Sequence, residues 1–303
     1  MKILIVGTGA LAVLFAARLA QAGQDVTMLG TWQSGLKALR QRGARLLDNA
    51  GNKEKFSVRV TDDPQDCRGK KYAIVLVKSW QTERAAGQLA NCLSKDGLCL
   101  TLQNGLGNRE ILANKLGSGQ VLLGATTTGG TLLEPGFVKL GGEGSLSIEA
   151  NPEFGPLGDA LKSANFELEI VQDFRTLVWG KLIISCAINP LTAILHVTNG
   201  ELLIRPSARV LMHSLAEETA LVASSEKVKL AFSDPIAMVE EVARNTAANQ
   251  SSMFQDIQRG APTEIDAICG AVTRVGRKNK VPTPNNQVCW QLVQAMSQSA
   301  GNI

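Results

Sequence analysis

Aromatic residues are scarce in this chain: Phe, Trp and Tyr together make 4% of its 303 residues, and there is a single tyrosine. The basic residues are scattered, and 31 Lys and Arg against 27 Asp and Glu leave a net charge of only +4. Without a basic patch studded with stacking rings, no nucleic-acid partner is expected. Histidine is nearly absent too. His196 and His213 have no obvious partner in the sequence, no Cys/His run has zinc-site spacing, and no metal is expected. The six cysteines (Cys67, Cys92, Cys99, Cys186, Cys269 and Cys289) form no CxxC pair and mostly sit in apolar runs, the pattern of reduced core thiols in a cytoplasmic protein. No cleavable leader is expected: the apolar start at Met1-Lys2-Ile3 is interrupted by Gly7-Thr8-Gly9, so it reads as a first strand. One run, 177–195, is long enough to cross a membrane. It contains Lys181, Ser185, Asn189 and Pro190, so a buried helix is expected there and no membrane partner.

What is present is globular, with 45% hydrophobic and 19% charged residues. The length suits two domains, since single cores stop growing near roughly 250–300 residues. The apolar run Lys2–Val6 meets Gly7-Thr8-Gly9-Ala10-Leu11-Ala12 and then a helical pattern to about Ala22. Strand, glycine turn and helix in that order bind dinucleotides: the first glycine makes the turn, the second admits a pyrophosphate, and Ala12 is small enough for the packing role of the third. A second strand, Asp25–Leu29, follows. It lacks the acidic residue that would bind a ribose 2′-hydroxyl, and no acid occurs between Val26 and Leu47. Thr31, Gln33 and Ser34, with Lys37, Arg40 and Arg42 on the next helix, favour NADP over NAD. The alternative is that those cations are a helix's solvated face.

Further strands are expected at Phe56–Thr61, Tyr72–Val77, Leu98–Gln103, Leu122–Thr128 and Phe166–Val171, with Gly136–Leu140 and Leu146–Glu149 as an antiparallel hairpin across the glycines at 141–144. Lys78 and Asn104 fall at carboxyl ends of strands, where open α/β sheets bind ligands, although a solvated strand end and an Asn-Gly turn explain them as well. Nearly everything after Asp173 is helical in period. The expected architecture is an α/β Rossmann-type domain over 1–173 and an all-α domain over 174–303, with the cleft between them as the default active site.

Lys181 is the only formal charge in 177–195. It either snorkels out or sits in a dry cavity with a pKa below the usual value of about 10.4. Lys181, Ser185 and Asn189 lie within an arc of about 80° on one helix face and could meet an anionic, oxygen-rich substrate together. A second group, Asn249-Gln250-Ser251-Ser252 leading to Pro262-Thr263-Glu264, reads equally as helix caps and first-turn residues.

Together these segments resemble the ketopantoate reductase (2-dehydropantoate 2-reductase) family over essentially the whole chain. The resemblance rests on Gly7-Thr8-Gly9-Ala10-Leu11, Val77-Lys78-Ser79-Trp80-Gln81, Gln103-Asn104-Gly105-Leu106-Gly107, Trp179-Gly180-Lys181, Ile188-Asn189-Pro190-Leu191-Thr192, Asn199-Gly200-Glu201, Ser251-Ser252-Met253 and Thr263-Glu264-Ile265-Asp266. It implies NADPH-dependent reduction of 2-dehydropantoate to (R)-pantoate in pantothenate and coenzyme A synthesis. On that pattern Lys181 is the general acid and Glu264 orients it and touches cofactor or substrate. Asn189, Ser252, Ser185 and Asn249 hold substrate, and Asn104 and Lys78 lie where nicotinamide ribose meets substrate. Ser185 stands where many members have Asn, and Thr31 where some have Arg. Two other readings stay open: a related NADP-dependent 2-oxo acid or carbonyl reductase, and a non-catalytic NADP(H)-binding sensor. A homodimer is compatible with all of these.

Overall fold

In the computed structural model, which describes residues 1–299, the strands in chain order are β1 (Lys2–Val6), β2 (Asp25–Leu29), β3 (Ala44–Leu47), β4 (Lys53–Phe56), β5 (Arg59–Thr61), β6 (Lys70–Val75), β7 (Leu93–Thr101), β8 (Val121–Thr126), β9 (Gly129–Glu134), β10 (Phe137–Gly142), β11 (Ser145–Glu149) and β12 (Glu167–Val171). They form an eight-stranded sheet ordered β12-β11-β8-β7-β6-β1-β2-β5 and a four-stranded sheet ordered β4-β3-β10-β9. From β5 to β8 every neighbouring pair in the large sheet is parallel. Those six strands have the doubly wound order in which each carboxyl end faces the ligand side. Strand β11 then adds antiparallel to β8, and β12 parallel to β11.

Helices α1 (Ala10–Gln21), α2 (Gln33–Arg42), α3 (Thr82–Ala90), α4 (Asn108–Leu116) and α5 (Gly155–Ser163) connect the strands. Every residue of α1 from Ala12 to Leu19 is buried, because the helix packs against both β1 and β2 of the large sheet and β3, β9 and β10 of the small one. A helix covered on both sides needs no polar face, which is why its sequence is apolar nearly all round. Its one cation, Arg18, is buried, pairs with Glu143 at 2.5 Å and lies 5.2 Å from the centre of the Phe166 ring.

Two strand expectations are corrected. The run expected as one strand at 56–61 is two: β4 belongs to the small sheet and β5 to the large one, so the chain changes sheet at Ser57-Val58. The expected hairpin is likewise two strands in different sheets, with β10 pairing β9 and β11 pairing β8. The glycines between them serve close backbone approach: a Cβ on Gly144 would lie 2.4 Å from the Thr128 nitrogen, and one on Gly141 3.2 Å from the Gly129 carbonyl carbon.

The chain after β12 is helical: α6 (Phe174–Leu195), α7 (Glu201–Ile204), α8 (Pro206–Ser225), α9 (Pro235–Asn245), α10 (Ser252–Gln258), a π-helical turn (Asp266–Gly270) running into α11 (Ala271–Asn279), and α12 (Pro284–Ser299). Their core is built on Ile183, Cys186, Ala187, Leu215, Cys269, Val272 and Val293. Helix α6 is long and apolar enough to cross a membrane, but 61% of its apolar window is buried inside the protein. The buried carboxylate of Glu218 (α8) caps α12, accepting from the backbone and side-chain nitrogens of Asn285 and Asn286 at 2.8–2.9 Å.

By contact density the chain divides into two compact units, one of Met1–Gln103 with Asn108–Phe174 and one of Asn104–Gly107 with the residues from Arg175 on. The four-residue segment between β7 and α4 thus belongs with the helices.

Candidate active site

In the sheet unit, the turn after β1 has the form that a dinucleotide requires. Gly7 has φ +131°, and a Cβ there would come within 3.2 Å of the Leu76 backbone. Gly9 is the N-cap of α1, which has no side-chain cap, and a Cβ on Gly9 would meet nothing within 4 Å. The free amides of the first turn therefore open onto unfilled space where the backbone can approach a pyrophosphate. Ala10 and Leu11 are partly exposed beside it, Thr8 is buried under Gly30, and Ala12 is fully buried against the sheet.

At the end of β2, Thr31, Gln33 and Ser34 are exposed, and Gln33, Ser34, Lys37 and Arg40 line a shallow groove along α2. The positive field expected there is weaker than the sequence suggests. Arg40 is 3.1 Å from Asp62, which also accepts from Gln33 at 3.2 Å, and Arg42 pairs with Glu134 at 3.6 Å. Lys78, also at the carboxyl edge, is the N-cap of the short 3₁₀ turn that follows β6. The loop after β7 is anchored by Gln103, whose amide donates to the Val77 carbonyl at 3.0 Å and to Thr82 Oγ1 at 2.8 Å.

The helical unit gathers three of the expected site residues. Asn104 Nδ2 donates to Glu264 Oε2 at 3.2 Å, and Glu264 is 5% exposed. Burial pulls the pKa of Lys181 down from 10.5 to about 8, and the Glu264 carboxylate acts in the opposite direction, holding the ammonium charged. Gly105 lets Asn104 reach this place: its φ is +84°, a Cβ there would lie 2.3 Å from the Ala267 carbonyl oxygen, and Leu106 N donates to the same oxygen at 2.9 Å. Asn104-Gly105 is therefore a docking point on the π-helical turn. Such turns insert one extra residue per turn and occur often at functional sites.

On α6, Lys181, Ser185 and Asn189 are partly exposed while Leu182, Ile183, Cys186, Ala187 and Ile188 between them are buried. The spacing of four puts these three partly exposed polar groups in one stripe along the helix. Pro190 sits within the helix just beyond it. Ser252 is exposed as the first residue of α10, and its neighbour Ser251 caps that helix by accepting from Phe254 N at 3.1 Å. Asn249 is exposed, and its backbone carbonyl accepts from Asn199 N at 3.0 Å.

Some pairings gave no sequence signal, although most of their residues lie in the motifs quoted above. The buried pair of Thr192 and Ser251, 2.7 Å apart, joins α6 to α10, and Asn199 Nδ2 donates to Thr246 Oγ1 at 2.9 Å beneath the loop carrying Asn249. Gly200 is glycine because a Cβ would come 2.5 Å from that of Ala247. His213, expected to be unpartnered, is 2.6 Å from Glu240, which Arg209 also reaches at 2.6 Å. Those contacts belong to α8 and α9 and involve none of the site residues named above. No cluster of three or more metal-ligating side chains occurs among the described residues.

Known proteins resemble this chain over nearly its whole length. The family model described as ketopantoate reductase PanE/ApbA matches residues 3–153, and its C-terminal counterpart matches residues 173–297. A 2-dehydropantoate 2-reductase of Archaeoglobus fulgidus is 33% identical over 302 residues, 97% of each chain. One of Halobacterium salinarum is 32% identical over 97% of this chain and 98% of its own. Among solved structures, a ketopantoate reductase of Ralstonia eutropha JMP134 aligns with a TM-score of 0.92 at 31% identity over 99% of both chains. D-mandelate dehydrogenase with NADH and anilino(oxo)acetate aligns at 0.93 with 27% identity, also over 99% of both. The chain belongs to the ketopantoate reductase family.

Proposed function

We propose that in the reduction of 2-dehydropantoate to (R)-pantoate by NADPH, the activity of this family, Lys181 of this chain is the proton donor and Glu264 and Asn104 position it. The chain is an oxidoreductase acting on a small keto acid. NADPH, when bound, supplies the hydride to C2. The first turn of α1 would hold its pyrophosphate, and the sheet unit would act as the dinucleotide-binding domain. The helical unit would supply the groups that meet the substrate. Lys181 first donates a hydrogen bond to the C2 carbonyl oxygen, polarising it, and then gives its proton to that oxygen as negative charge develops. Ser185 and Asn189 offer a hydroxyl and an amide to the substrate's own hydroxyl. Ser252, at the N-terminus of α10, and Asn249 are suited to the carboxylate. Lys78 would touch the cofactor at the sheet's carboxyl edge.

The observation that carries this reading is the Lys181 ammonium with its pKa near 8, beside a buried carboxylate that itself binds Asn104. A donor with pKa near the working pH combines the correct protonation state with an effective driving force for transfer. A cytoplasmic location and a homodimeric assembly are the settings we propose for it.

A second reading has its own support. The alignment with D-mandelate dehydrogenase and the charge pairing of Arg40 and Arg42 fit a related 2-oxo acid reductase that also accepts NADH. The test follows loss of reduced-nicotinamide absorbance with 2-dehydropantoate and with phenylglyoxylate, each with NADPH and NADH. Highest kcat/KM for 2-dehydropantoate with NADPH is expected. Preference for phenylglyoxylate establishes the second reading, and absence of turnover with both leaves a binding protein.

A further inference from the structure

Three residues beyond the end of β2, at the start of α2, the chain carries an indole. Trp32 is the N-cap of α2 and is 42% exposed, one of four tryptophans in the chain. Its six-membered ring is seated on the helix: a Cβ built on Gly35 would lie 2.4 Å from the ring's Cε3 and 2.9 Å from Cζ3. Gly35 is a buried residue of α2, a position where glycine is a poor helix former, and its missing side chain is what leaves room for the indole. The ring thus packs against Gly35 while the residue keeps 42% of its surface open to solvent. The residues around it on the chain, Thr31, Gln33 and Ser34, are exposed and uncharged.

In doubly wound folds the end of the second strand meets the adenosine half of the cofactor. A fixed aromatic face at that place can stack on an adenine base without reading its ribose. We propose that Trp32, packed against Gly35, is the stacking surface for the adenine of the nicotinamide cofactor. It would provide affinity common to NADPH and NADH where the chain has neither a carboxylate for a 2′-hydroxyl nor an arginine at position 31 for a 2′-phosphate. The inference rests on the dinucleotide-binding part of the functional reading and needs no assumption about the keto acid.

The test uses the full chain without substrate. Binding of NADP⁺, NAD⁺ and ADP-ribose is measured by calorimetry and by tryptophan emission for the parent, Trp32→Phe, Trp32→Ala and Gly35→Ala. The expected result is quenching of the parent's emission by ADP-ribose that is absent in Trp32→Phe. Trp32→Ala should bind all three nucleotides about tenfold more weakly, while Trp32→Phe stays near the parent. Gly35→Ala, which displaces the indole, should resemble Trp32→Ala, with circular dichroism confirming an intact fold. Affinity for nicotinamide mononucleotide, which has no adenine, should not change in any variant. Parental affinity in Trp32→Ala for ADP-ribose, or quenching that persists in Trp32→Phe, overturns the inference. A parent that binds none of the dinucleotides overturns the functional reading itself.

Discussion

Thr192 and Ser251 form a hydrogen bond of 2.7 Å between two buried hydroxyls, one on α6 a turn beyond Asn189 and the other capping the helix that begins with Ser252. Thr192 Oγ1 is also 3.0 Å from the carbonyls of Ile188 and Asn189. The bond therefore sets the register between the polar stripe of α6 and the start of α10. Thr192→Val keeps the shape and removes the hydroxyl, leaving a buried Ser251 with one partner fewer, at a cost of about 1–3 kcal/mol by chemical denaturation. If the two elements hold one substrate, KM for the keto acid rises several-fold while kcat stays near the parent's, and Thr192→Ser restores both. An unchanged KM would mean that the bond is structural alone.

As the proposed proton donor, Lys181 would act in its protonated form. With its pKa near 8, kcat/KM for reduction should be flat below that value and fall as pH rises through it. Lys181→Ala should lose about 10²- to 10⁴-fold in kcat, the usual contribution of a general acid, with nucleotide affinity retained. Parental turnover in that variant would remove the proton-donor assignment.

Glu264 raises the pKa that burial lowers. Replacing its charge by Glu264→Gln removes the opposing influence, so the alkaline limb of the pH profile should move to lower pH. A limb that stays in place would show that the carboxylate does not act on Lys181.

Gly105→Ala places a Cβ 2.3 Å from the Ala267 carbonyl oxygen at a residue with φ +84°. Strain and collision together predict a loss of about 2–4 kcal/mol and a lower Tm. Because the loop carries Asn104, kcat should fall more than the loss of folded protein explains.

Thr31→Arg supplies the guanidinium that the family resemblance implies for a 2′-phosphate. The NADPH-to-NADH ratio of kcat/KM should rise by about tenfold, the effect of roughly 1.4 kcal/mol. A ratio unmoved by the substitution would place the 2′-phosphate elsewhere.

How much of this was legible depended on whether the signal was local. The β1 turn and α1 were readable because glycine and apolar spacing are set within a dozen residues. Lys181, Ser185 and Asn189 were readable as a stripe because a helix fixes their angles. Glu264 and Ser252 looked like helix-end residues, and only the family resemblance marked them. The contacts that place them lie far away in sequence: Asn104 is 160 residues from Glu264, and Thr192 is 59 from Ser251, the cap that precedes Ser252. The false hairpin at 136–149 has the same origin. A glycine run looks alike whether it turns a strand or lets two backbones touch, and sheet membership is decided by distant strands.

The six buried cysteines fall three to a unit, Cys67, Cys92 and Cys99 with the sheet and Cys186, Cys269 and Cys289 with the helices. Burial holds the thiols of Cys92, Cys99 and Cys289 up at about 12 and that of Cys269 well above its ordinary value, so native thiolate is negligible at neutral pH. Because all six are buried, an alkylating reagent can mark each thiol only in molecules whose surrounding structure has opened. The chain carries two built-in sets of clocks for the opening of its parts. Dinucleotide should slow the first set, keto acid the second, and the two rates read separately would report each ligand's stabilisation of its own unit without any added label.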